Sequence, residues 1–392
     1  MVTNAKDVLD NLRALAPEIR DRAAETEAAR RIPPDLIGKL RDAGVFRMYT
    51  PKSHGGLELD FSDGLEVIAA TARADGSAGW TVMIGSATAL LFSRLPRQTF
   101  ELIYQGGPDL IQAGLAGAPR GRAEIVPGGF RVIGTWPFSS GCQHADWIIG
   151  ACVVTREGQP VPGPIEGGPP QTRIVVLPAD AWTVEDTWTV SGLKGTGSHS
   201  TVLEDAFVPD AQTFELGGPS CLEGPLYAGI GPWIPLMHAA FAVGLAEGAV
   251  DDLAAMAGTG RQQLFARTSM QESPVFQYEV GRLDADLAAI RALLKTRAEG
   301  HWARARTARL GEPEVMGESL QAGVWITATA VAIASGCYTL GGGGALYDAS
   351  PLQRRMRDMH AAAQHAVVQQ QNYQGLGAAR LGRGGEASLR GR

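Results

Sequence analysis

Three stretches of this sequence gather side chains able to hold or move a proton: TWPFSSGCQHADW (135–147), GLKGTGSHS (192–200) and MHAAAQHAVVQQQNYQ (359–374). The first packs two tryptophans, a phenylalanine, two serines, a cysteine and a histidine into thirteen positions, in a chain that is 7% aromatic and holds seven histidines. An imidazole with a pKa near ~6.5 serves as donor or acceptor at neutral pH, which makes His144 and His365 candidates for proton handling. In the second stretch, glycines let backbone amides approach a ring edge or a phosphate, and the hydroxyls of Thr196 and Ser198 offer hydrogen bonds. Taken alone, Gly-Thr-Gly-Ser also fits an ordinary turn, and His144 also fits a strand-end turn before an inward-pointing Trp147. His360 lies five residues before His365, so on a helix the two point to different sides. Cys142, Cys152, Cys221 and Cys337 are far apart with no CxxC, which indicates neither a zinc site nor a disulfide framework.

The elements that must position these groups follow from periodicity. From Val8 to about Arg47 apolar residues recur at helical spacing, and IPPDLIGKLRDAG starts with prolines and ends at Gly44. FSDGLEVIAATARAD and SAGWTVMIGSATALLFSRL continue an α-helical domain over 1–110. Alternation and β-branched residues then dominate GGFRVIGTWPF, DWIIGACVV, TRIVVLPA and STVLEDAFVP, predicting a β domain over 111–215 whose longest break is the loop 158–171. Helical pattern resumes over 225–382, with segments at 235–258, 274–309 and 313–337 and a last helix from about Ser350 to Leu381. Four long antiparallel helices are the economical packing. The glycine-rich basic end, 383–392, reads as a flexible tail.

With 392 residues the chain exceeds the roughly 250–300 at which single cores stop growing. Its 45% apolar and 19% charged residues are those of a folded interior. A net charge of −6 without a concentrated basic face argues against nucleic acid. The N-terminus has no apolar signal region, and VWITATAVAIASG (324–336) is shorter than the ~20 residues of a membrane span, so a cytoplasmic protein is expected.

Six segments in order, PKSHGG (51–56), ADGSAGW (74–80), WPFSSGCQHADW (136–147), DTWTVSGLKGTGSHS (186–200), FVP (207–209) and GGGGALYDASPLQRRMRD (341–358), resemble the acyl-CoA dehydrogenase fold superfamily. More narrowly they resemble its two-component flavin-dependent monooxygenases, the group of p-hydroxyphenylacetate hydroxylase oxygenase components and related aromatic and polyketide hydroxylases. The resemblance implies an α+β multidomain fold: an N-terminal helical domain, a central β-barrel-like domain and a C-terminal four-helix bundle, with flavin between the last two. It also implies a homotetramer in which the flavin tail reaches a neighbouring subunit.

Dehydrogenation in this superfamily needs a carboxylate base beside the flavin, and no carboxylate occurs from Met359 to Gly384 or within GPWIPLMH (231–238). An acyl-CoA dehydrogenase is therefore disfavoured. By resemblance, Trp136, Phe138, Ser139, Ser140, Gly141, Thr196, Gly197 and Ser198 contact flavin, Ser198 and His365 support its C4a-hydroperoxide, and His144 faces a phenolic substrate oxygen. Arg267 and Gln277 resemble residues that contact the flavin phosphate, often across a subunit interface. His199 alternates away from Ser198 and is expected to be structural. Arg354, Arg355, Arg357 and Asp358 are expected to stitch the bundle by ion pairs. No GxGxxG followed by an acidic residue appears in a βαβ context, so a separate NAD(P)H-dependent reductase must supply reduced flavin. FMN is the expected flavin and FAD the alternative. The expected reaction is hydroxylation of an aromatic or polycyclic phenol-like substrate, with N- or S-oxygenation of an amine or heterocycle also open.

Overall fold

In a computed structural model of the chain, residues 2–383 are described. The tail expected from 383 falls outside them except for Arg383. The N-terminal helices are α1 (Ala5–Asp21), α2 (Ala23–Ala29), α3 (Pro34–Ala43), α4 (Phe61–Ala74), α5 (Gly76–Phe92) and α6 (Arg97–Tyr104). Their ends are set locally. Asn4 accepts from the Asp7 N–H and Asp75 from the Ala78 N–H as N-caps, Pro34 opens α3, and Gly44 closes it in the left-handed conformation.

The strands are β1 (Gln112–Leu115), β2 (Gly121–Val126), β3 (Gly129–Trp136), β4 (Trp147–Arg156), β5 (Gln159–Pro160), β6 (Thr172–Pro178), β7 (Thr183–Glu185), β8 (Ser200–Pro209) and β9 (Thr213–Phe214). They form one sheet in the order β7-β8-β3-β2-β4-β6-β9, with β1 and β5 also pairing with β4. β3 runs antiparallel to β8, with a register shift between Val132 and Ile133. That pairing brings the ends of two site-bearing loops together: the loop after Trp136 and the loop before Ser200 meet where Trp136 opposes Thr201.

Four long helices follow: α7 (Trp233–Gly258), α8 (Pro274–Arg306), α9 (Pro313–Gly341) and α10 (Pro351–Ala362), with a short α11 (Asn372–Arg380). α7 is buried along most of its length, with Trp233, Leu236, Met237 and Phe241 fully enclosed. By length and composition alone α7 and the segment Pro313–Leu346 could cross a membrane, so the expectation that no segment was long enough is corrected. In the fold, 89% of the apolar window of α7 is buried against its neighbours, as in a bundle core.

The expected last helix, Ser350 to Leu381, is interrupted. α10 ends at Ala362, a 3-10 turn covers Ala366–Val368, and α11 begins at Asn372. The cause is side-chain competition for the backbone. His365 takes an extended conformation (φ −65°, ψ 130°) and its Nδ1 accepts from the Val367 N–H at 3.4 Å, while the Asn372 amide donates to the carbonyls of Ala366 and Val367, each at 2.9 Å. The break turns the His365 ring toward α7.

Candidate active site

The loops after β3 and before β8 converge on α5. Trp80 of α5, 7% exposed, donates its indole N–H to Ser140 Oγ at 3.0 Å. Ser140 Oγ lies 2.7 Å from Ser198 Oγ, which lies 2.6 Å from Thr196 Oγ1, and Thr196 donates to the Leu193 carbonyl at 2.8 Å. All three hydroxyls are buried. The turn that carries Thr196 and Ser198 is built on left-handed residues, Leu193 (φ 54°) and Gly197 (φ 51°), and is pinned from the bundle by Asp358, whose carboxylate accepts from the Leu193 N–H at 2.6 Å. Burial, with Asp75 adding, pushes the Asp358 carboxyl up to about 7.

On the far side of Trp80 stand two histidines. His238 of α7 and His365 of the broken helix have ring centroids 4.1 Å apart, and the Trp80 ring meets them at 5.2 and 5.9 Å. Burial pushes the His365 imidazole down to about 4; burial and then the His365 ring hold His238 well below its ordinary value. Both are neutral at pH 7, so His365 is not the freely titrating group expected from its residue type. Because His365 Nδ1 accepts from Val367, its proton sits on Nε2, which is the donor it can offer. His238 Nδ1 is buried with no hydrogen-bond partner among the described residues.

His238 and Trp80 were missed from the sequence. Both lie on helices that are apolar on nearly every face, where a lone imidazole or indole N–H must find a partner or a ligand, and that was the signal available.

Burial of neutral histidines makes stability pH-dependent. The folded pKa of His238 lies below the unfolded value of about 6.5, so the unfolded chain takes up a proton first as the pH falls, and stability present at pH 7 is lost below 6.5. Replacing His238 by Phe therefore raises stability relative to the unsubstituted chain by about 2 kcal/mol between pH 7 and pH 5. Urea unfolding at the two pH values checks this; an unchanged difference contradicts a neutral buried His238.

The remaining candidates are distributed unevenly. Phe138 is 60% exposed and held at φ 64°, a conformation that costs an apolar residue on the order of 1 kcal/mol, with the Trp188 ring edge-on at 6.1 Å. An aromatic ring kept outward against backbone preference, beside the buried hydroxyl chain, fits a planar ligand such as the flavin ring. Gly141 (φ 76°) donates its N–H to the Thr196 carbonyl and so ties the two loops together. Gly197 faces the turn Cys142–His144 and the end of α2, where an added Cβ would stand 2.7 Å from Gln143 Oε1 and 3.0 Å from the Arg30 carbonyl. Ser139 turns into the sheet, its hydroxyl 2.9 Å from Thr201 Oγ1.

Trp136 is a correction. It is fully buried, donates to the Ala151 carbonyl at 2.8 Å and meets Trp182 edge-on at 5.1 Å. Gly121, Gly134 and Gly150 make the slot for it, since an added Cβ on any of them would come within 2.8 Å of its ring. It is a core residue of the sheet and does not present its ring to a cofactor.

His144 also departs from expectation. It ends a 3-10 turn (Cys142–His144), and the groups facing it are Arg31 and the Ile32 backbone, between α2 and α3, and Arg41 of α3, whereas the sequence placed it toward substrate. Burial pushes its imidazole down to about 4, with the two guanidiniums adding, and its Nε2 has no hydrogen-bond partner among the described residues. His199 is structural as expected, its Nδ1 accepting from the N–H groups of Thr187 and Trp188, each at 3.2 Å. Arg354 and Arg357 pair with Glu27 at 3.1 and 2.5 Å and Arg355 with Asp252 at 2.9 Å, joining α10 to α2 and α7.

Arg267 and Gln277 stand apart from the cluster. They lie exposed in the loop after α7 and in the first turn of α8. Twenty residues of helix separate His238 from Gly258, or about 30 Å at 1.5 Å per residue.

Comparison with known proteins agrees with this architecture. Residues 4–94 match the acyl-CoA dehydrogenase N-terminal domain and residues 236–370 match the acyl-CoA dehydrogenase C-terminal domain. Indole-3-acetate monooxygenase of Pseudomonas putida is 33% identical over 375 residues, covering 94% of this chain and 93% of that protein. The chain belongs to the flavin-dependent monooxygenases of the acyl-CoA dehydrogenase fold. Among solved structures, 3-HSA hydroxylase from Rhodococcus sp. RHA1 superposes with a TM-score of 0.90 at 28% identity, covering 98% of this chain and 99% of that one. XiaF from Streptomyces sp., in complex with FADH2 and glycerol, superposes with a TM-score of 0.88 at 25% identity, covering 96% of each chain. As an oxygenase component of this family, the chain works with a flavin that a separate reductase has reduced.

Proposed function

We propose that this oxygenase hydroxylates an aromatic ring, that its flavin ring lies against Phe138 with one edge on Ser140 and Ser198, and that the substrate lies on the His238 and His365 side of Trp80. The observation that carries the proposal is the adjacency of the buried hydroxyl chain and the neutral histidine pair, joined by Trp80. Reduced flavin, when bound, supplies the electrons that activate O2. The chain's own residues then have three tasks. Ser140 and Ser198 orient the ring edge, the enclosing Trp80 and Phe241 exclude water, and His365 offers the Nε2 proton to oxygen.

Apart from Asp358, whose carboxylate is spent on the Leu193 N–H, the groups named here offer hydrogen bonds without negative charge. That suits the handling of oxygen beside an aromatic ring and does not suit removal of a carbon-bound proton from an acyl thioester, so the dehydrogenase reading is not favoured. His144, set against Arg31 and Arg41, has a supporting place in this scheme and is not the substrate's hydrogen-bond partner.

FMN is the preferred flavin, since the cluster of one chain covers a ring, and Arg267 and Gln277, exposed beyond the end of α7, form no part of that cluster. FAD would draw them from a second copy. A homotetramer supplies that copy, and the exposed Leu264 and Phe265 flanking Arg267, with Val275 and Tyr278 nearby, are apolar surface suited to such an interface. The cytoplasm, where reductase and NAD(P)H are at hand, is the compartment this chemistry favours.

Indole-3-acetate is the first substrate to test, with phenol-like rings next. The purified chain, given enzymically reduced FMN, O2 and indole-3-acetate, is expected to release a hydroxylated product. Bleaching of bound oxidised flavin by an acyl-CoA would instead support dehydrogenation, and oxygenation of an amine or sulfur heterocycle alone would move the reaction to a heteroatom.

A further inference from the structure

The hydroxyl chain has a fixed direction. Two oxygens 2.8 Å apart with no hydrogen between them repel, and the Leu193 carbonyl can only accept, so the Thr196 proton lies on that carbonyl. Thr196 then has only lone pairs for Ser198, and Ser198 must donate its single proton to Thr196 across 2.6 Å. Ser198 in turn has only lone pairs for Ser140, which donates across 2.7 Å. Ser140 accepts from the Trp80 N–H at 3.0 Å, which is consistent with the same order from the other end. Every proton in the series Trp80, Ser140, Ser198, Thr196 is thus committed toward Leu193, and bonds aligned in this way strengthen one another. The terminal carbonyl is itself held, because Asp358 grips the Leu193 N–H and the Trp188 indole N–H also donates to the Leu193 oxygen at 3.0 Å.

A serine whose proton is committed can only accept from a further partner. We propose that Thr196 is a positioning residue that, through this relay, makes Ser140 and Ser198 acceptors toward a bound flavin, so that the site selects the reduced ring by its N5–H donor over the oxidised ring, whose N5 only accepts. The proposal rests on the flavin placement given above. Thr196 does not need to touch the ring: its hydroxyl is spent on Leu193 and Ser198. Selection of this kind matters to an oxygenase that must capture reduced flavin and release the oxidised form.

Replacing Thr196 by Val keeps the branched shape and removes the end of the relay. The Ser198 proton, or that of Ser140 behind it, then has no protein acceptor in line and turns toward the ring, where it favours oxidised flavin. The test is anaerobic titration of the purified chain with reduced and with oxidised FMN, and the same pair for FAD, read as the ratio of the two dissociation constants. Melting temperature and tryptophan emission report whether each variant is folded. The unsubstituted chain is expected to bind the reduced form more tightly. In Thr196→Val that preference falls about tenfold, as expected when one buried hydrogen bond is exchanged for a mismatch, and Thr196→Ser, which keeps the hydroxyl, restores it. Thr196→Ala provides the same loss should the valine variant not fold. A ratio within twofold of the unsubstituted value in Thr196→Val and Thr196→Ala, with both flavins bound, overturns the relay proposal and leaves the flavin placement standing. Failure of the unsubstituted chain to bind either form overturns both.

Discussion

Replacing His365 by alanine lowers oxygenated product about 100- to 1,000-fold, while reduced flavin continues to be consumed and O2 leaves as hydrogen peroxide. The reason is local. The broken helix delivers one imidazole to the site, its Nδ1 is spent on the Val367 N–H, and Nε2 carries the only proton it can give. Because burial has taken its pKa to about 4, the group stays neutral above pH 5. Product yield should then show no titration of His365 between pH 5 and 8. The measurement is product and peroxide per reduced flavin consumed, with His365→Gln as a partner variant that keeps an N–H donor. Equal coupling in His365→Ala and the unsubstituted chain would remove His365 from the reaction.

Trp136→Ala is expected to cost about 3–5 kcal/mol of stability, with flavin affinity changed less than twofold in protein that remains folded. The indole fills a slot that three glycines were needed to open, and the alanine variant leaves that slot empty between β2, β3 and β4. Trp136→Phe should cost less, because the ring volume is largely kept. It still loses the indole hydrogen bond to the Ala151 carbonyl, which keeps the Arg120 N–H, at about 1 kcal/mol. Urea unfolding and flavin titration on the same samples separate the two roles. A stable Trp136→Ala chain with lost flavin binding would return Trp136 to the cofactor face.

These two residues show where the sequence was informative. The order of helices, strands and bundle was legible because periodicities of 3.6 and 2 persist over long segments, and because prolines and glycines mark helix ends such as Pro34 and Gly44. Ser140, Ser198 and Thr196 were legible through motifs, and β3 to β8 pairing brings their hydroxyls together. Trp136 sits in the same motif as Phe138, two positions apart, yet one ring is core and the other exposed. The difference is made by Gly121, Gly134 and Gly150, on β2, β3 and β4, which open the slot, and by the left-handed turn at Phe138.

The break at Ala362 carried no proline or glycine to announce it, since it arises from His365 and Asn372 bonding to nearby backbone. His238 was hidden for a different reason: a histidine inside an apolar helix has no motif, and only its packing on His365 gives it meaning. His144 was misdirected by spacing alone, because the Arg31 and Arg41 side chains that face it come from the α2–α3 connection and from α3, more than a hundred residues earlier.

The most direct test of the central claim is the fate of molecular oxygen. The chain is mixed with FMN reduced by a separate reductase, indole-3-acetate or a phenol-like substrate, and O2 labelled with oxygen-18, and the product is weighed by mass spectrometry. Incorporation of one labelled atom into the aromatic product, dependent on reduced flavin, is the expected result. Absence of labelled product with both FMN and FAD across these aromatic substrates, together with reduction of bound oxidised flavin by an acyl-CoA, would contradict it.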